Sequence, residues 1–249
     1  MWILCISTIS LAQLNPHMPP SSNFDFSAWK LQTLDTSYYF TEALASKLTA
    51  GYVSRFFYTD SLDGALVLKT PANGKTTADA VHPRVELRQT AAGANWFLTD
   101  TTEHYLTAEC KVVTVVPDTP KLVIGQIHGS DKKSQILKLL WTGTKNGMCT
   151  IKAQFKANDS EKKDDNVVIA KGLSLGDLIS YAITMKSGTI TVTVNGKSCS
   201  HTYTTEYFGE KDKYYFKAGN YLQCSGPDPN VCGLVKFYKL SLRPHSAVK

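Results

Sequence analysis

Hydrophobic and polar residues alternate along most of the chain, in short runs of the length typical of β-strands. From about Leu62 onward, runs rich in Val, Ile, Thr, Tyr and Phe are separated by turn signals such as Asn73-Gly74 and Asn195-Gly196, a pattern that predicts strands joined by hairpins. The predicted strands are Ala65–Lys69, Arg84–Gln89, Tyr105–Val116, Leu122–His128, Ile136–Trp141, Thr150–Phe155, Val167–Ala170, Leu178–Met185, Thr189–Val194, Tyr214–Gln223 and Leu234–Leu242. One short helix is predicted, at Thr41–Leu48.

Many strands without alternating helices indicate an all-β fold, a β-sandwich or jelly roll, rather than a βαβ fold. The 249 residues, 43% of them hydrophobic and 19% charged, suffice for one large domain with a sizeable core. We place that domain at residues 24–249. The Pro/Ser-rich segment Gln13–Asn23 is predicted to be a poorly ordered leader.

The first 12 residues, MWILCISTISLA, are mostly apolar and carry no charged side chain. The run is too short to span a bilayer, and it ends with small residues at Ser10 and Ala12, the pattern of a secretory signal cleaved after Ala12. A buried first strand is the alternative. No later segment is apolar over a membrane-spanning length, so we expect a soluble, secreted, extracellular protein that is monomeric.

Cysteine usage agrees with export. Without Cys5, the remaining cysteines are Cys110, Cys149, Cys199, Cys224 and Cys232. None lies in a motif with zinc spacing, so a structural metal site is not expected. Cys224 and Cys232 bracket a turn-rich stretch, and we predict a disulfide between them; the pairing of the others stays open. Asn158 begins a glycosylation sequon whose use depends on the host.

The charge balance, 27 Lys plus Arg against 21 Asp plus Glu, gives a net charge of +6. This excess suits a polyanionic partner such as nucleic acid, a membrane surface or an acidic polysaccharide, although a modest excess also serves solubility alone.

Polar side chains share one face on three of the predicted strands, because residues two apart on a strand project to the same side. By this parity the shared faces carry Arg84, Glu86 and Arg88; Gln126 and His128; and Lys217, Tyr221 and Gln223, with Gly219 among the last group. Taken one at a time, each of these features has a purely structural explanation. The Arg-x-Glu-x-Arg strand can be a solvated face with cross-strand salt bridges. The histidine can be structural, the tyrosine can serve packing, and the glycine can mark a bulge. If the three strands are neighbours, they form a basic groove that contains a histidine and a tyrosine.

This set suits elimination from a polyuronate chain. The C5 proton of a uronate becomes acidic only when the adjacent carboxylate is neutralised, which Arg, Gln and His donors can do. Histidine can act as a base near neutral pH, and tyrosine as the acid for a departing alkoxide. No metal or other cofactor is needed. A glycoside hydrolase would use paired carboxylates, but Glu86 is the single acid in the set.

Three segments, RVELRQ, GQIHG and YFKAGNYLQ, resemble the signature segments of the alginate lyases of polysaccharide lyase family 7, in the family's order and approximate spacing. The resemblance extends from roughly Phe24 to Arg243 and implies a β-jelly roll. It also implies that Arg84, Gln126 and His128 neutralise the substrate carboxylate. Tyr221 would be the acid, and His128 or Tyr221 itself the base.

By the same resemblance, Glu86, Arg88, Lys217 and Gln223 hold the sugar chain and orient the catalytic groups, and the partner is alginate rather than nucleic acid or membrane. The chain departs from the family at Val85 and Leu222, both of which point away from the polar face. In the family, an isoleucine at the position of Ile127 tends to accompany activity on guluronate-containing blocks. A lyase for another polyuronate, such as glucuronan, and a non-catalytic polyuronate-binding jelly roll remain alternatives.

Overall fold

The chain folds into two antiparallel β-sheets packed face to face. The computed structural model describes residues 13–76, 80–90, 94–130, 135–144, 148–157, 163–208 and 211–244. Within these, the first sheet consists of β1 (Trp29–Leu34), β2 (Phe40–Ala43), β5 (Arg84–Gln89), β6 (Trp96–Phe97), β8 (Lys121–Gly129), β9 (Leu137–Gly143), β10 (Cys149–Phe155), β11 (Asp165–Leu173) and β15 (Lys213–Leu222). Its strand order is β11-β10-β9-β8-β15-β5-β1-β2, with β6 paired to β15.

The second sheet consists of β3 (Phe57–Thr59), β4 (Leu66–Pro71), β7 (His104–Thr114), β12 (Leu178–Lys186), β13 (Thr189–Val194), β14 (Lys197–Thr202) and β16 (Cys232–Pro244). Its strand order is β14-β13-β12-β7-β16-β4-β3. The short helices are α1 (Ala45–Thr49) and α2 (Thr205–Phe208). None of the helices in the described part of the chain has the length and apolar character that crossing a membrane requires.

One hydrophobic core fills the space between the sheets, because alternate residues of each strand point inward. β10 shows the alternation clearly: Cys149, Ile151, Ala153 and Phe155 are buried, and the residues between them are partly exposed. Such burial removes apolar surface from water at roughly 25 cal/mol per Å². The predicted all-β sandwich is therefore confirmed.

Hydrogen bonds also join the two sheets inside this core. Asn220 of β15 donates from Nδ2 to the carbonyl of Leu68 at 3.0 Å, and its own carbonyl accepts from Thr70 Oγ1 at 2.8 Å. The hydroxyl of Tyr181 donates to the carbonyl of Ile124 at 2.9 Å. Because these groups are buried, each bond satisfies a polar group that would otherwise be costly to desolvate.

The predicted helix at Thr41–Leu48 is wrong in its first half. Phe40–Ala43 is strand β2, which pairs with β1 through a tight turn, and the helix is confined to Ala45–Thr49. The Asp35 carboxylate accepts from the backbone N–H groups of Ser37 and Tyr39, so the turn favours hairpin pairing over helix.

The segment Gln13–Asn23 is folded, not a poorly ordered leader. It contains a 3₁₀ turn at Pro20–Ser22, and Asn23 Nδ2 donates to the carbonyls of Asn15 and Gly64 at 2.9 and 3.1 Å. Leu14 packs against the core. Apolar and amide contacts thus tie this segment to the domain.

The predicted disulfide between Cys224 and Cys232 is not formed, since both are free thiols, as are the other three described cysteines. Cys224 follows β15 in the first sheet, whereas Cys232 begins β16 in the second, paired with Pro71. The two thiols are thus attached to strands of opposite sheets. The sequon at Asn158 and the predicted signal, residues 1–12, lie outside the described residues.

Candidate active site

The three strands that carry the predicted polar side chains are neighbours, as expected. β15 lies between β8 and β5 in the first sheet. Tyr221 is opposite Arg84, and Lys217 is opposite both Arg88 on β5 and Gln126 on β8. The residues that alternate with these along each strand point into the core. We call the outward-facing surface of β8, β15 and β5 the polar face.

A glycine interrupts the row of side chains on β15. A Cβ added to Gly219 would lie 2.6 Å from both the Cα of Glu86 and the carbonyl oxygen of Val85, so only glycine permits this close approach of β5. The register with β8 also shifts between Ala218 and Tyr221, as in a β-bulge. The row of side chains on the polar face is therefore interrupted between Lys217 and Tyr221, and β5 lies close against β15 at this point.

The polar face contains a buried ion pair. Lys217 Nζ is 2.6 Å from Glu86 Oε2, and Arg84 Nη1 is 3.7 Å from the same oxygen. Gln126 donates from Nε2 to the other Glu86 oxygen. Glu86 and Gln126 are fully buried, and Lys217 is 2% exposed. These contacts place Glu86 and Lys217 to orient Arg84 and Gln126, one of the two roles that the resemblance implies for them; their contact with the sugar chain stays a prediction.

Both members of this pair are charged at neutral pH. Burial opposes ionisation of Glu86, but the charges of Lys217 and Arg84 outweigh it and hold the pKa of Glu86 below its ordinary value. Burial lowers the pKa of Lys217 to about 8, although the charge of Glu86 opposes that shift. Each charge therefore depends on the other for its stability in the interior.

His128 is held as a neutral imidazole. Its Nδ1 lies 2.7 Å from the carbonyl oxygen of Gly129, and because a carbonyl only accepts, Nδ1 carries the proton. Burial and the positive charge of Lys217 lower the pKa of His128 to about 4. At neutral pH the ring therefore has its lone pair on Nε2, the arrangement that a general base requires.

The ring of Tyr221 is held by a cation and by apolar side chains. The guanidinium carbon of Arg84 is 4.0 Å from the ring centroid, and Val123 and Leu140 form a small apolar cluster with the ring. Burial raises the pKa of Tyr221 although the Arg84 charge opposes the shift, and the hydroxyl is within hydrogen-bonding reach of Gln223. Tyr221 thus keeps its proton at neutral pH and can donate it.

The sequence analysis missed three side chains on this face. Tyr215 places its hydroxyl 3.1 Å from His128 Nδ1; it shares strand parity with Lys217, so the same argument could have found it. Lys138 lies opposite Gln126 and Lys30 opposite Arg88, but they are on β9 and β1. No signal in the sequence could identify those strands as neighbours before the topology was known.

This arrangement brings together a neutral base, a protonated acid and several cationic donors. It can neutralise a carboxylate, remove the proton beside it and protonate a leaving oxygen. Glu86 is held in an ion pair, unlike the acid of a glycoside hydrolase. Among the described residues, no group of three or more His, Cys, Asp or Glu side chains could hold a metal ion.

A cavity of about 740 Å³ lies away from this chemistry, on the outer side of the second sheet. Two pairs of its polar side chains are already bonded to each other: Lys239 Nζ is 2.6 Å from Glu109 Oε1, and Tyr238 donates to Asp63 at 2.8 Å. We therefore take the polar face, and not this cavity, as the candidate active site.

Comparisons with known proteins agree with this assignment. A family model described as alginate lyase matches residues 24–244. The crystal structure of alginate lyase A1-II', a member of polysaccharide lyase family 7, has a TM-score of 0.77 at 32% identity, covering 90% of this chain and 97% of that one. A variant of that enzyme, in complex with the substrate GGMG, has a TM-score of 0.78 at 31% identity, covering 90% and 96%.

Alginate lyase PA1167 from Pseudomonas aeruginosa has a TM-score of 0.79 at 25% identity, covering 89% of this chain and 100% of that one. No curated protein matches the sequence. The family match extends over most of the chain, and the three signature segments adjoin on one sheet. The protein therefore belongs to the alginate lyases of polysaccharide lyase family 7.

Proposed function

We propose that this protein depolymerises alginate by β-elimination on the polar face. The observation that carries the proposal is the placement of the neutral His128 on β8 and the protonated Tyr221 on β15, with Arg84 against the Tyr221 ring, on adjoining strands of one sheet. A uronate residue bound between His128 and Tyr221 would have its carboxylate close to the positive charge of Arg84. No other part of the described chain combines these groups.

The reaction follows from the states of these residues. Arg84, Gln126 and His128 lie around the substrate carboxylate and stabilise the charge that develops when the C5 proton leaves. His128 Nε2 accepts that proton, and the electron pair of the C–H bond forms the C4–C5 double bond. The bond from C4 to the glycosidic oxygen breaks, and Tyr221 donates its proton to that oxygen. The products are a new reducing end and an unsaturated uronate end.

The identity of the base depends on the sugar. His128 serves when the C5 proton lies anti to the leaving oxygen, as we propose for guluronate, and Tyr221 can take both roles when it lies syn. Burial raises the pKa of Tyr221 and opposes the second route. We therefore propose a preference for guluronate-containing blocks, in line with the family tendency at Ile127. Ile127 is fully buried in the core, so any influence on specificity is indirect.

Three further properties belong to this proposal. Residues 1–12 direct export, so the enzyme acts outside the cell on a soluble polymer. Its folded domain works as a monomer, which size-exclusion chromatography with light scattering can test. Its partner is the polysaccharide, because the cations of the polar face suit a chain of carboxylates; we expect neither nucleic acid nor membrane to bind there.

Incubation with separate samples of polyguluronate, polymannuronate and glucuronan tests the function, with new unsaturated ends followed by ultraviolet absorbance. We expect the fastest rise on polyguluronate. A rise on glucuronan alone would identify a different polyuronate as the substrate. Binding to these polymers without any rise in absorbance would identify the protein as a non-catalytic polyuronate-binding module.

A further inference from the structure

Tyr215 and His128 are direct cross-strand neighbours on the polar face. Their rings are nearly parallel, with an interplanar angle of 22° and centroids 5.5 Å apart. The hydroxyl of Tyr215 lies 3.1 Å from His128 Nδ1, the nitrogen that donates to the Gly129 carbonyl. Nδ1 therefore faces two oxygen atoms, and Nε2 is the nitrogen left for chemistry.

Tyr215 is itself held firmly. It is 5% exposed, and the guanidinium carbon of Arg88 lies 4.1 Å from its ring centroid. Burial raises the pKa of Tyr215, although the charge of Arg88 opposes the shift. The phenol is thus neutral at working pH, and its oxygen can accept part of the Nδ1–H bond.

A hydrogen bond at the far nitrogen of an imidazole fixes the tautomer and the ring orientation. It also stabilises the charged ring that forms when Nε2 takes a proton, because both nitrogens then carry hydrogen. His128 needs such help, since burial and Lys217 both oppose its protonation. The Gly129 carbonyl supplies one acceptor and Tyr215 a second.

We propose that Tyr215 is a positioning residue for His128: its hydroxyl holds the imidazole with Nε2 directed at the substrate, and it supports the imidazolium during proton abstraction. This inference rests on the proposed β-elimination and deepens it. Tyr215 acts through His128, so it matters wherever His128 is the base. On a sugar for which Tyr221 takes the C5 proton, the contribution of Tyr215 is smaller.

The test compares Tyr215→Phe with Tyr203→Phe. The second variant also loses a buried hydroxyl, one that donates to the Ile136 carbonyl at 2.7 Å, but it does so away from the polar face. Relative to wild type, we expect Tyr215→Phe to lower kcat on polyguluronate about tenfold, the lower end of what a positioned hydrogen bond contributes. KM should change little, and kcat on polymannuronate less than on polyguluronate. Tyr203→Phe should leave the ratio of the two kcat values unchanged.

A second arm does not depend on turnover. Nitrogen-15 NMR of the free protein reports the tautomer and titration of His128, and we expect Tyr215→Phe to shift its midpoint to lower pH. In a His128→Ala background, Tyr215→Phe should add no further loss on polyguluronate, as expected for residues that act as one unit. Tyr215→Leu serves if the Phe variant does not fold.

Unchanged imidazole titration together with an unchanged kcat ratio would overturn the proposal. An inactive wild type, combined with a shifted His128 titration, would instead contradict the proposed function and leave the role of Tyr215 toward His128 supported. The two failures are therefore distinguishable.

Discussion

Lys217 Nζ lies 2.6 Å from Glu86 Oε2, and both side chains are almost completely removed from solvent. This ion pair forms the base of the candidate active site, so its energetics differ from those of a surface salt bridge. Removing one partner leaves the other as an uncompensated charge in the interior, which costs about 3–5 kcal/mol.

We therefore expect Lys217→Met to destabilise the fold by roughly that amount of unfolding free energy, measured by urea denaturation. The double variant Glu86→Gln with Lys217→Met should recover much of the loss, because no charge is left unpaired. If the single variant is as stable as wild type and only KM rises, Lys217 contacts the substrate directly, as the sequence had indicated.

Tyr221→Phe keeps the ring between Arg84 and the Val123–Leu140 contact but removes the transferable proton. We expect kcat to fall by about 10²–10⁴ with an unchanged melting temperature, the usual range for a general acid. Tyr105→Phe, on the outer side of the second sheet, is the control. A folded Tyr221→Phe variant with near-normal kcat would require a different acid.

The acid limb of the activity profile should reflect the lowered pKa of His128, about 4 against an ordinary 6.5. Because kcat/KM reports the ionisation of the free enzyme, we expect the acid-side fall of kcat/KM to lie well below pH 6.5. A bound uronate carboxylate favours the imidazolium, so the limb in kcat should lie at higher pH. Steady-state rates on a short oligosaccharide test both. Limbs that coincide near 6.5 would argue against a buried His128.

The same lowered pKa has a consequence for stability. Between pH 6.5 and about 4 the unfolded chain binds a proton at His128 before the folded one does. The contribution of His128 to stability is therefore full above 6.5 and declines as the pH falls through this window. Denaturation of wild type and His128→Gln across this range isolates the effect.

Substrate binding should weaken as salt rises, since the Debye length shrinks from about 10 Å at 0.1 M to about 3 Å at 1 M. Arg88→Met should raise KM more than it lowers kcat, and should reduce the slope of KM against salt. Lys186→Met, an exposed lysine on the second sheet, should do neither. A KM independent of both salt and Arg88 would mean that the substrate binds elsewhere.

Turnover should survive exhaustive chelation, because Arg84, Gln126 and, once it has taken the C5 proton, His128 stabilise the charge that a Lewis acid would otherwise neutralise. The measurement is kcat before and after dialysis against a chelator. Loss of activity restored by only one metal would contradict this expectation. A partial calcium effect would not, since calcium also binds alginate chains.

Local patterns predicted much of this structure. Strand parity grouped the polar residues within each strand, such as Gln126 with His128, because period-two alternation is a property of the strand alone. The order of strands depends on pairing between distant segments, so a shared face stayed conditional, and Lys138 and Lys30 could not be assigned to it. Nor could parity distinguish a solvent-facing lysine from one buried under its neighbours, so the burial of Lys217 was not predicted.

The elements missed had weak local signals. β2 in Phe40–Ala43 has few β-branched residues and gains its pairing from the turn at Asp35. The segment Gln13–Asn23 reads as a linker because Pro and Ser dominate it, yet its amide and leucine contacts depend on Gly64, which is distant in sequence. Tertiary contacts decided both cases.

Asn220 and Tyr221 are adjacent on β15 and point to opposite sides of the sheet. The residue beside the proton donor therefore anchors the strand to Leu68 and Thr70 across the sandwich. A slip of one residue in β15 would turn the asparagine to solvent and the tyrosine into the core. The position of Tyr221 therefore depends on how the two sheets pack together. Substitutions in this strand consequently have little freedom to change the substrate range. Divergence is easier on β9 and β1, where a lysine can be exchanged without disturbing the anchor.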